Sequence, residues 1–200
     1  KYLIMLEENV KRAGGKVHWA GDAEEASNII INIAREGNVK LVVKSKSMAT
    51  EEIELNSSFE DAGIKVVETD LGEYIIQLAG EHPSHIIAPA IHKTKEDISK
   101  LFSEKLGTPH YDKPEELTKV ARERLRSEFL NADMGVSGAN FAVAETGTII
   151  VVENEGNARL TTTIPKIHVA LVGIEKLIPH HEDLSLFLTL LARSATGQKS

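Results

Sequence analysis

Several short segments of this 200-residue chain concentrate side chains able to do chemistry. Lys44-Ser45-Lys46-Ser47-Met48-Ala49-Thr50-Glu51-Glu52 lies between an apolar run and the start of a helical pattern. Two ammonium groups, the hydroxyls of Ser45, Ser47 and Thr50, and the free N–H groups of a helix start suit a phosphate or carboxylate. The plainer reading has Ser47 or Thr50 capping the helix and both lysines facing water. The Gly-x-x-x-x-Gly-Lys spacing of an ordinary phosphate-binding loop is absent. Glu68-Thr69-Asp70-Leu71-Gly72-Glu73 holds three carboxylates, which either flank the same cleft or form an acidic helix start favoured by the dipole. In Gly135-Val136-Ser137-Gly138-Ala139-Asn140 the close glycines allow either backbone approach to a ligand or a tight turn. Glu145-Thr146-Gly147-Thr148 reads as a turn, and Glu145 is a candidate nucleophile or base as well as a candidate solvated turn residue. Asn154-Glu155-Gly156-Asn157-Ala158-Arg159 is a polar loop with many hydrogen-bonding side chains.

The candidate ligand-binding residues are therefore Lys44, Ser45, Ser47, Thr50, Asp70, Gly138, Asn140, Thr146, Gly147 and Asn154, with Glu145 as the candidate catalytic residue. Lys44, Ser45, Ser47 and Thr50 are expected to line a cleft for a small anionic ligand. Glu145, Asn140 and Gly138 are expected across from them. Eight histidines raise the question of a metal, but none forms His-Glu-x-x-His or another specific zinc pattern. No Gly-x-Ser-x-Gly elbow supports a serine nucleophile. No metal site is expected.

Elements that place these segments follow from periodicity. Strands are predicted at 16–20, 40–44, 64–67, 84–87 and 167–172. Asp22 starts a helix with Glu25 as capping-box partner, an apolar face of Ala26, Ile29, Ile30 and Ile33, and an end at Gly37. A helix from about Thr50 buries Leu55, Phe59 and Ala62 and ends at Gly63. Short helical signals follow at 73–78 and from Thr94 to Leu106. Pro114 opens a helix whose stripe is Leu117, Ala121, Leu125 and Phe129. A last helix buries Leu184, Phe187, Leu188 and Leu191. Such alternation predicts an α/β fold, a mainly parallel sheet with helices on both faces. Apolar runs at 140–144 and 148–152 around Glu145-Thr146-Gly147 predict an antiparallel hairpin. The longest loops, 153–166 and 107–113, are not composed as linkers, so 1–200 reads as one domain.

Composition narrows the function classes. The residues are 42% hydrophobic and 26% charged, as in ordinary globular domains. A net charge of −7 with 4% aromatics disfavours nucleic acid as a partner. No apolar run approaches the length of a membrane span, and the opening residues turn acidic too soon for a signal peptide. There is no cysteine, so this chain supplies no disulfide, cysteine nucleophile or thiolate ligand. The cytoplasm is the expected location. A start on Lys1 and an end without a terminal motif lead us to expect a piece of a longer protein.

Several stretches, in order, resemble the LUD domain of the iron–sulfur lactate-utilisation family. They are residues 44–52, 68–78, Pro89-Ala90-Ile91-His92-Lys93-Thr94, 138–148 and Asn154-Glu155-Gly156-Asn157-Ala158-Arg159-Leu160. The likeness covers nearly the whole chain. It implies a fold similar to the glucosamine-6-phosphate deaminase, ribose-5-phosphate isomerase and CoA-transferase group. It also implies participation in oxidising L-lactate to pyruvate, with other lactate-utilisation subunits as partners in a multi-protein complex. Family members carry a ferredoxin-like region after this domain, with cysteines for two [4Fe–4S] clusters. This chain departs from that pattern, so no cofactor is expected in it and the clusters are expected in the full-length protein. Electron transfer by these residues alone is not expected. The alternatives are a self-sufficient CoA- or sugar-phosphate-handling enzyme, in which a turn glutamate such as Glu145 would form an acyl intermediate by fold-level analogy, and a structural docking module.

Overall fold

Runs rich in valine and isoleucine make the centre of the molecule. In the computed structural model, which describes residues 1–81 and 89–197, four of these runs pair in parallel. They are β1 (Leu41–Lys44), β2 (Lys65–Glu68), β3 (Met134–Ser137) and β6 (Ile167–Ala170), in the spatial order β2-β1-β3-β6. The register sets Val43 beside Val67 and Gly135, and Lys44 beside Glu68. Both faces are covered, as a parallel sheet requires. Helices α2 (Ala23–Glu36) and α4 (Leu55–Asp61) bury Ile30, Ile31, Leu55 and Phe59 against Val42, Val66, Met134 and Val136 on one face. On the other, α5 (Leu71–Ala79), α6 (Lys95–Leu106) and α7 (Pro114–Asn131) pack on Val43 and Val67. The expected stripe of α7 is wholly buried: Leu117, Ala121, Leu125 and Phe129. Each of its three large members stabilises the fold by roughly 1.5–3 kcal/mol through burial.

The helix ends follow the capping chemistry closely. Asp22 accepts from the Glu25 N–H at the start of α2. Thr94 and Asp97 form a reciprocal capping box on α6, which stops at Gly107 with φ +68°. At the end of α2 the left-handed residue is Asn38 (φ +51°), while Gly37 stays right-handed with φ −79°. The single helix expected from Thr50 is instead two, α3 (Met48–Glu52) and α4, broken where Glu54 turns left-handed at φ +49°. That break aims Asn56 of α4 at Glu68, 2.8 Å away.

A smaller sheet joins β4 (Phe141–Val143), β5 (Thr148–Ile150) and β7 (Leu177–Ile178), with β4 antiparallel to β5 and parallel to β7. The expected hairpin is thus present, with shorter strands. Helix α1 (Tyr2–Arg12) packs Leu6 on Ala142 and Ala144. Gly147 has φ +71°, and a Cβ there would lie 2.6 Å from the Val10 backbone nitrogen, so both conformation and space demand glycine.

Other expectations need correction. Residues 16–20 form no strand. They have only one β-branched residue, Val17, and no ladder partner among the described residues, and Trp19 is tied instead to Glu7 of α1 at 2.9 Å. Ile29 and Ile33 are half-buried, because among the described residues β6 is the last strand on that side, which leaves that flank of α2 beside an open groove. Within 153–166, the expected loop, lies helix α8 (Asn157–Thr163), whose first N–H groups are capped by the Glu153 carboxylate. The final helix, α9 (Leu184–Thr196), exists but does not bury its stripe. Phe187 meets Phe141 at a ring separation of 5.4 Å, yet Phe187 and Leu188 stay exposed and Leu184 half-exposed, for no second layer among the described residues covers them. The strand expected at 84–87 lies outside the described residues. Among the described residues, no helix is long and apolar enough to cross a membrane.

Candidate active site at the carboxyl end of the sheet

Chain order and spatial order part company at β1. The chain leaves β1 for β2 on one side, then returns to lay β3 on the other. Open α/β sheets bind ligands at such a reversal, outside the carboxyl ends of the strands. Here that place holds Lys44–Ser47 after β1 and Ser137–Gly138 after β3. The Ser45 N–H donates to the Val136 carbonyl at 3.0 Å. A Cβ on Gly138 would lie 2.4 Å from Ser47 Oγ, so the two loops touch and only glycine fits.

A buried polar network forms at this end of the sheet. Lys44 is 1% exposed and Glu68 3%. The strand register makes them neighbours, and Lys44 Nζ lies 2.8 Å from Glu68 Oε1. Lys44 also donates to Thr50 Oγ1 at 3.0 Å, and the Thr50 hydroxyl in turn donates to the Ser47 carbonyl at 2.8 Å. Asn56 donates to the same Glu68 oxygen as Lys44. Gln77 of α5 accepts from the Glu68 N–H and donates to the Val66 carbonyl, which fixes α5 against the end of β2. Ser47 caps α3 by accepting from the Thr50 N–H. The structure thus brings Lys44, Ser45, Ser47, Thr50 and Gly138 together, and it gives Lys44 a carboxylate of its own.

Glu73 of α5 stands beside this network and is 4% exposed. Burial, then the charges of Glu51 and Glu68, push its carboxyl up to about 7, against the pull of Lys46 and Lys44. At this end of the sheet, Glu73 Oε1, Glu68 Oε2 and Asn56 Oδ1 are buried acceptors with no hydrogen-bond donor among the described residues. Asp70 caps α5 through the N–H groups of Gly72 and Glu73. Its charge also acts on Glu155, whose carboxyl is raised by desolvation and by Asp70, and lowered by Lys46. The charge of the exposed Lys46 therefore acts on both Glu73 and Glu155. Thr69 ties the floor together, donating to the Lys44 carbonyl at 3.0 Å. Asn157 of α8 reaches the Thr69 carbonyl, and Asn154 is exposed in the adjoining loop.

The hairpin residues belong to different surroundings. Glu145 is exposed, and its carboxylate accepts from the His181 N–H at 2.9 Å. Its carbonyl accepts from Asn9 of α1. Thr146 donates to Thr148, and Asn140 accepts from the Val152 N–H to close the base of the hairpin. Their partners among the described residues are thus hairpin, α1 and 179–181 groups, whereas Gly138 lies against Ser47. Elsewhere, fully buried Ser137 lies 2.9 Å from His168 Nε2, and desolvation lowers the pKa of that histidine. A groove of about 1650 Å³ runs past β6, lined by Ile33, Ile149, Ile167 and Val169 among others.

Sequence reasoning counted Lys46 as one of two ammonium groups and weighed Glu68 and Glu73 as cleft carboxylates, but did not name them among the candidate site residues. Glu73 sits at the third helical position after Asp70, where a glutamate ordinarily folds back to cap, so its spacing looked structural. Its signal was three carboxylates clustered after a strand. Among the described residues, no group of three or more His, Cys, Asp or Glu is arranged for a metal ion. The chain has no cysteine, so these residues do not fit an iron–sulfur cluster, and thiolate ligands would have to come from outside them.

Comparison with known proteins adds a family. The family description "LUD domain" matches residues 3–200. "Lactate utilization protein B" of Shouchella clausii (strain KSM-K16) is 53% identical over 199 residues, covering 99% of this chain and 42% of that protein. The protein of the same name from Macrococcus caseolyticus (strain JCSC5402) is also 53% identical over 199 residues, and that from Lysinibacillus sphaericus (strain C3-41) 51%, with the same coverage. The chain thus spans less than half the length of the curated relatives it matches. No solved structure gives a significant match.

Proposed function

This chain belongs to the LUD domain family, and on that footing we propose that it serves lactate utilisation, as part of a multi-protein complex that oxidises L-lactate to pyruvate in the cytoplasm. The observation that carries this reading is the likeness, along the whole chain, to proteins named for lactate utilisation. It is supported by a buried polar cluster at the carboxyl end of the sheet, with the exposed Lys46 nearby in the chain and a Glu73 carboxyl pushed up to about 7. Glu73 can hold or release a proton at physiological pH, as oxidation of an alcohol requires.

Electron transfer falls to another part of the protein. Two [4Fe–4S] clusters bound by cysteines outside these residues would carry electrons away, and the other lactate-utilisation subunits are the partners. The test is reconstitution. Full-length protein assembled with its partner subunits should reduce a dye with L-lactate, and the 200-residue chain alone should be colourless and inactive. Lactate-dependent turnover or a flavin- or cluster-like absorption band from the chain alone would overturn this division. Failure of the assembled complex to oxidise lactate would overturn the function.

A further inference from the structure

We propose that the groove beside β6 is the seat of a fifth strand of the main sheet, supplied by an extended apolar segment of the full-length protein that lies outside these 200 residues. The choice of occupant rests on the length of the relatives and is independent of lactate oxidation.

Three observations carry it. First, one edge of β6 is open among the described residues. Ile167 and Leu171 donate their N–H groups to the carbonyls of Asp133 and Ser137, on the β3 side. By the alternation of a strand, His168, Ala170 and Val172 turn their N–H and C=O groups the other way, where no described strand pairs with them. All four residues of β3 are buried, and none of β6 is. Parallel strands are ordinarily covered, and a bare edge is a template for pairing. Second, that edge opens into a groove whose sides are residues 14–23 and 149–153. Its volume of about 1650 Å³ exceeds the roughly 300–1000 Å³ of small-molecule sites. It offers what an added strand needs: main-chain groups to bond, and apolar walls at Ile33, Ile149 and Ile167 to take alternate side chains. Third, α9 joins the same surface through Leu188. From Leu184 to Leu191 it has no charged residue, and Leu186 and Leu190 are 59% and 51% exposed. A helix with so little polar face belongs in an interior, so the cover extends past the groove and is permanent.

The relatives point to the occupant. The Shouchella clausii protein, 53% identical, matches 99% of this chain with 42% of its own length. Most of such a protein therefore lies outside the shared part. A tethered segment meets the groove at high effective concentration, which a separate peptide would have to replace by affinity. A second copy would bring the same flanks alongside its own β6, and the four walls would meet before the two edges could pair. A single extended segment passes between one pair of walls.

The experiment uses the full-length protein, purified without the other subunits. Hydrogen exchange resolved to single residues reads the edge: the amides of His168, Ala170 and Val172 should exchange on the order of 100-fold or more slower than in an unfolded chain. Replacing Ile174, which lines the groove and is 69% exposed, by the photoreactive amino acid benzoylphenylalanine reads the occupant. Irradiation at low and at high protein concentration should give the same monomer-sized product, in which mass spectrometry places the link on a residue outside these 200. Exchange at the unfolded rate at those three amides would overturn the added strand. A link to a second copy that grows with concentration, a link confined to these 200 residues, or no link would overturn the occupant.

Discussion

Replacing Lys44 with Met removes the ammonium and keeps most of the aliphatic stem. The loss should be large, because Glu68 is 3% exposed and would be left charged without its cation. Breaking a buried pair from one side costs about 3–5 kcal/mol. Asn56 still donates to Glu68 Oε1, which places the expectation near the lower end of that range. With a urea dependence of about 2–3 kcal/mol/M, the unfolding midpoint should fall by roughly 1–1.5 M. The assay is urea denaturation of the 200-residue chain at pH 8, followed by far-ultraviolet circular dichroism. A second substitution, Glu68→Gln, removes the stranded charge and should restore at least half of the loss. A Lys44→Met cost below about 1 kcal/mol, or no recovery in the double variant, would show that the pair is solvated and that the network is not as described.

Two further perturbations bear on the frame and on the carboxyl within it. Gly135→Ala would put a methyl 1.9 Å from the Thr161 carbonyl oxygen of α8, a backbone atom that cannot swing aside. A cost of about 3 kcal/mol or more is expected, read as a melting temperature lower by roughly 6–12 °C; an unchanged melt would contradict the packing of α8 on β3. The Glu73 carboxyl, raised from an ordinary 4.5 to about 7, binds its proton more tightly in the folded state. The stability it contributes is complete below pH 4.5, declines as pH rises and is lost above about pH 7, a swing of about 3 kcal/mol. Glu73→Gln should therefore match wild type at pH 4.5 and be more stable by up to that amount at pH 8, and equal stabilities at pH 8 would refute the burial argument.

Helix α7 and the central strands were legible because their patterns are local and strong: a stripe at i, i+4, i+8 and short valine runs bounded by glycine. The break at Glu54 was not, since a glutamate at positive φ carries no compositional mark and is held by tertiary contacts. The α8 turn inside 153–166 is too short to show a period. Residues 16–20 alternate like a strand, but a strand is made by its neighbour, and none pairs there. The site followed the same division. Ser47 as a helix cap and Gly138 as a close approach could be read from residue type and position. The partner of Lys44 could not, for it depends on the register that sets Lys44 beside Glu68 across 24 residues of chain. Lys46 and Glu73 stand out only once α5 and the loop after β1 are seen at the same end of the sheet.

Steady-state oxidation of L-lactate by the assembled full-length complex, comparing Lys46→Gln with Glu145→Gln, tests most directly the claim that substrate is handled at the end of β1 and β3. Lys46→Gln should raise KM at least tenfold, while Glu145→Gln, whose carboxylate holds the His181 N–H, should change kcat/KM by no more than about threefold. An unaffected Lys46→Gln enzyme together with a loss of about 100-fold or more in Glu145→Gln would contradict the account and move the chemistry to the hairpin.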